Sequence, residues 1–149
     1  MSGDVKGSVQ KSESALHQIG QVAERVGVSL RTVRYYEEQG LLSPETRTGG
    51  GFRLYSDDQI ERLELIHQMK PLGFSVDEIR CLLHARDAIQ DPSAASSDRE
   101  AATERLSRFA DVAAERCEEL SEQVQRASDL ARRLRREARG PDARSGHGR

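Results

Sequence analysis

Apolar residues fall three and four apart at Ile19, Val22, Ala23 and Val26, the spacing that lines one face of a short helix. Gly27 ends that face, because glycine takes a left-handed conformation without a Cβ clash. Ser29 caps a second helix through LRTVRYYEEQ, which stops at Gly40 and turns Leu30 and Val33 toward the core. Next, LLSPETRTGGGFRLY breaks helical spacing with Pro44 and three consecutive glycines, and the alternation around Phe52 and Leu54 predicts a two-stranded ribbon. Ser56 opens a third helix, with Asp57 and Asp58 beside its positive end and a stripe of Ile60, Leu63, Ile66 or His67, and Met69; Pro71 and Gly73 end it. Ser75 and Glu78 make a capping box for a fourth helix carrying Val76, Ile79, Leu82 and Leu83.

The stretch DAIQDPSAASSD reads as a linker over residues 87–98, and a long helix follows from about Arg99 to Arg139. Leu106, Ala113, Leu120, Ala127 and Leu134 recur every seven residues, with Ala110, Cys117, Val124 and Ala131 between them. That is the seam of a coiled coil; the alternative is a helix folded back on its own domain. The expected architecture is mainly α: a winged helix-turn-helix domain over 17–86, the linker, and a dimerisation helix over 99–139. Disordered tails are expected at 1–16 and 140–149.

Charge changes this picture only locally. The 149 residues carry a net charge of −2, with hydrophobic residues at 36% and charged residues at 32%, so the whole chain does not announce a nucleic-acid binder. From Arg132 onward seven arginines face only Glu137 and Asp142, which leaves residues 1–131 at −7. Any DNA contact in the first half must come from locally placed residues. The sequence shows neither the apolar run of a signal peptide nor the ~20 apolar residues of a membrane span, and a cytoplasmic protein is expected.

The run from Ile19 to Ile79, most specifically TVRYYEEQGLL, GFRLYS and LGFSVDEI in that order and spacing, closely resembles the MerR family of bacterial regulators. The resemblance covers residues 19 to about 84. It implies a homodimer, its long helices paired antiparallel, that binds an inverted repeat in double-stranded promoter DNA. It also implies that the protein bends and untwists the DNA between two promoter elements spaced too far apart, so that RNA polymerase engages. Metal sensors of the family place cysteines near the start and just after the end of the dimer helix, and this chain departs from that pattern with only Cys81 and Cys117.

With Leu30 and Val33 inward, a turn of about 100° per residue sends Arg31, Thr32 and Tyr35 outward with the capping Ser29 toward the major groove. Arg31 suits the edge of a guanine, and Arg34 on the flank suits a phosphate. Taken with the resemblance, Arg53, Tyr55 and Arg47 of the wing join the phosphate contacts; without it they read as a solvated turn and a core aromatic. Cys81 is expected to be a small buried hydrophobe. No metal ligand set or other cofactor site emerges, nor any nucleophile and base pair, so catalysis is not expected. The competing function is a coiled-coil interaction module or DNA-organising protein without promoter specificity.

Overall fold

Three serines start three of the helices. Ser29 Oγ accepts from the Thr32 amide at 3.1 Å, Ser56 Oγ from Gln59 at 3.4 Å and Ser75 Oγ from Glu78 at 3.1 Å, each satisfying an amide that has no partner within its helix. In the computed structural model, which describes residues 15–141, the order is β1 (His17–Gln18), α1 (Ile19–Val26), α2 (Leu30–Glu38), β2 (Thr46–Arg47), β3 (Arg53–Tyr55), α3 (Asp57–Met69), α4 (Val76–Gln90) and α5 (Ser96–Ala138). A 3-10 turn at Lys70–Leu72 leads from α3 toward α4. Of the tails expected at 1–16 and 140–149, only residues 15–16 and 140–141 fall within the described residues.

The ribbon has a third strand. β1 pairs antiparallel with β3, His17 opposite Tyr55, and β2 pairs on the other side, Arg47 opposite Arg53. β1 is anchored from below by His17 Nε2, 2.8 Å from Asp57 at the start of α3. Val22, Val33, Tyr36, Tyr55, Leu63, Ile66, Ile79 and Leu83 form one continuous core between the helices and the sheet. Three polar contacts brace the connection after α2: Arg80 donates to the Gln39 carbonyl at 2.8 Å, Arg62 to the Leu41 carbonyl at 3.1 Å, and the Ser43 amide to Gln59 at 2.9 Å.

The long helix behaves differently along its length. α4 runs to Gln90 and α5 begins at Ser96, so the expected linker at 87–98 contracts to the residues between them. That short connection folds α5 back antiparallel on α4. Ala102 is buried, and Leu106, Phe109, Val112 and Ala113 pack on the core of their own domain. The Phe74 and Phe109 rings lie 6.1 Å apart, and the Arg116 guanidinium sits 4.3 Å above Phe74 while donating to the Leu72 carbonyl at 3.3 Å. Beyond Arg116 the helix leaves the domain, and its remaining described residues are exposed. Cys81 is exposed as well, contrary to expectation, because the buried stripe of α4 runs through Ile79, Leu82, Leu83 and Ala85 on the other side.

Candidate nucleic-acid interface

Because Ser29 fixes where α2 begins, Leu30, Arg31 and Thr32 form its first turn. Val33 and Tyr36 point into the core, which leaves Arg31, Arg34 and Tyr35 on the solvent face. Leu30 was expected inward with Val33, yet it is exposed. The buried stripe is set by Val33 and Tyr36, three apart, and Leu30 falls at its edge, one turn before the helix reaches the core. Ser29 Oγ also lies 2.9 Å from Thr32 Oγ1, so both hydroxyls are on the surface at the helix start. Tyr36 is buried, and burial, followed by Tyr35 beside it, raises its pKa.

The wing is a tight hairpin. The Thr48 amide donates to Phe52 O and the Gly51 amide to Thr48 O, both at 2.8 Å, with Gly51 at a φ of 80° that an L side chain rarely adopts. Arg53 and Tyr55 are two apart in β3, so both face α2. Glu37 receives both there: its carboxylate lies 3.2 Å from Arg53 Nε and accepts the Tyr55 hydroxyl. Tyr55 is fully buried, and burial first, then the Glu37 carboxylate, pushes its pKa upward. The phosphate contact expected of Tyr55 is therefore corrected, since its hydroxyl is spent inside and works as a strut between wing and recognition helix. Glu37 escaped the sequence reading because an acid on α2 carries no local signal of its own; its partners arrive only through the fold.

Arg34, Arg47 and Arg53 converge with Ile19, Gly51 and Phe52 around an open concavity of about 290 Å³. Arg47 and Arg53 are direct cross-strand partners, an arrangement that repels by itself. Glu37 relieves Arg53 alone; among the described residues Arg31, Arg34 and Arg47 have no carboxylate partner. An anion seated among them removes that repulsion, and a DNA phosphate has the charge and the acceptor oxygens to do so. The arrangement thus places an anion cradle beside the exposed first turn of α2.

Among the described residues, no group of three or more His, Cys, Asp or Glu side chains stands close enough to hold a metal ion. No helix among them is long and apolar enough to cross a membrane. Residues 18–86 match the family described as MerR HTH family regulatory protein, and residues 60–136 match the one described as MerR, DNA binding. The chain belongs to the MerR family.

Within that family the chain is 37% identical over 117 residues to the HTH-type transcriptional regulator HmrR of Sinorhizobium medicae, covering 78% of this chain and 71% of that protein. It is 44% identical over 71 residues to the HTH-type transcriptional regulator ZntR of Escherichia coli K12, covering 48% of this chain. The match spans about half the length of ZntR. Its fold is shared with HiNmlR, a MerR family regulator lacking the sensor domain and solved bound to promoter DNA, at a TM-score of 0.65 and 22% identity over 89% of this chain and 97% of that one. A MerR family regulator from Bacillus thuringiensis has the same fold at a TM-score of 0.61 and 20% identity, covering 82% of this chain and 99% of that one.

Proposed function

We propose that this MerR family chain is a transcriptional regulator that binds, as a homodimer, an inverted repeat in promoter DNA. The observation that carries the reading is the juxtaposition of the arginine-lined concavity with the exposed first turn of α2. In this reading Arg31 addresses a base edge in the major groove, with Ser29, Thr32 and Tyr35 around it, while Arg34, Arg47 and the outer edge of Arg53 hold phosphates. Glu37 and Tyr55 set the angle between the two parts. Promoter binding by HiNmlR and the regulator names of HmrR and ZntR support the assignment.

Dimerisation is assigned to α5. Leu120, Val124, Leu130 and Leu134 are exposed on a helix about 65 Å long at 1.5 Å per residue. Val124 is 65% exposed, a cost in water that a second helix removes. Leu106, Ala110 and Ala113, expected in the seam, line an apolar furrow of about 260 Å³ against the helix's own domain, so the seam starts at the edge of that domain. Cys117, Ala127 and Ala131 continue it on the exposed part.

Acting on the chromosome, the dimer works in the cytoplasm, bends and untwists the promoter spacer and engages RNA polymerase; no catalytic role is part of the reading. Selecting bound sequences from random DNA tests it. An enriched inverted repeat supports promoter-specific regulation, and retention of DNA without any enriched motif supports the DNA-organising alternative instead.

A further inference from the structure

Leu30 is the one aliphatic side chain exposed on α2, at 42%, and it stands outside both the core and the residues packed on it. Its place matters more than its exposure. It is the first residue of the helix after the Ser29 cap, with Arg31 next in sequence and Arg34 one turn on along the same ridge. Recognition helices present their N-terminal residues to base edges. Among those edges the major groove offers one apolar group, the 5-methyl of thymine, while the other bases show only donors and acceptors. An apolar side chain exposed on the first turn of this helix, next to Arg31 and one turn before Arg34, matches a methyl that sits among polar base edges.

We propose that Leu30 is a specificity residue that recognises thymine through its 5-methyl group, beside the base addressed by Arg31, in each half-site. The proposal rests on the promoter-binding reading above. Arg34 and the wing cradle fix the depth of the helix, and the Leu30 methyls then exclude water from the thymine methyl. The contact gives up no hydrogen bond, because the thymine O4 remains free for Arg31 or water.

The test uses the full-length protein and the duplex recovered by selection, with each thymine of a half-site replaced in turn by deoxyuridine, which removes the methyl and leaves pairing unchanged. At one position per half-site the wild type loses about fourfold in affinity, the factor that burial of a single methyl is worth. Leu30→Ala binds the thymine duplex several-fold more weakly and no longer distinguishes thymine from deoxyuridine there. Leu30→Met, which keeps an apolar chain of similar volume, retains the distinction. Melting temperatures of both variants stay near wild type, since the side chain lies outside the core. If no thymine is methyl-sensitive, or if Leu30→Ala keeps the full sensitivity, the inference is overturned while promoter binding stands. If the wild type selects no motif, both fall.

Discussion

The residues before Arg116 and those after it obey opposite rules. The first part closes on itself: Val33, Tyr55, Leu63, Ile66, Ile79 and Leu83 are sealed, and even the first half of α5 is spent covering them. Among the described residues, the second part seals nothing within the chain, and its apolar residues face water. On the proposed reading one helix serves two partners in succession. Ala102, Phe109 and Arg116, seven apart, turn toward their own domain, while the neighbouring heptad stripe that ends in Leu120, Val124, Ala127, Ala131 and Leu134 is left for another copy.

The largest test of this division is to cut at it. Removing residues 118–149 leaves a folded monomer whose melting temperature changes little, but operator affinity falls by about 100-fold or more, the advantage of holding two half-sites at once. Sedimentation and a binding titration check both halves of the expectation. A cut that also removed residues 96–117 uncovers the core and unfolds the domain.

Point substitutions sharpen the same contrast. Leu63→Ala lowers the unfolding free energy by about 2 to 5 kcal/mol, as for other buried leucines, whereas Leu134→Ala leaves domain stability unchanged and weakens only dimerisation. Denaturant titration at several protein concentrations separates the two. On the DNA side, Arg31→Ala costs about 1 to 3 kcal/mol on the operator and little on scrambled DNA, whereas Arg47→Ala weakens both and reduces the salt slope by about 1.

The smallest effect is at the strut between wing and recognition helix. Tyr55→Phe removes the hydroxyl bond to Glu37 and costs about 0.5 to 1.5 kcal/mol of stability. Because the folded pKa of Tyr55 is raised above the ordinary 10.0, its contribution is complete below that pH and is lost as the pH climbs beyond it. Stability measured between neutral and alkaline pH therefore falls less steeply at the alkaline end in the variant than in wild type.

Helix starts and stripes were legible in the sequence because serine caps and three-and-four spacing are local signals, and α1, α3 and α4 follow them closely. Leu30 was misread, because a nine-residue helix with two buried positions leaves the phase of its first turn open. β1 carries too few residues to show alternation. Phe109 was invisible for another reason: it lies beside the heptad, on a stripe whose meaning depends on where α4 ends and how tightly the chain turns. The arginines of the anion cradle were named individually from the sequence, but their convergence on one concavity, and the part of Glu37 in it, required the fold.

The most direct measurement is the mass of the complex formed with the selected duplex in sedimentation equilibrium. The account predicts two chains on one duplex that carries both half-sites, and the loss of that second chain when residues 118–149 are removed. One full-length chain per duplex, or an unchanged pair after the cut, contradicts it.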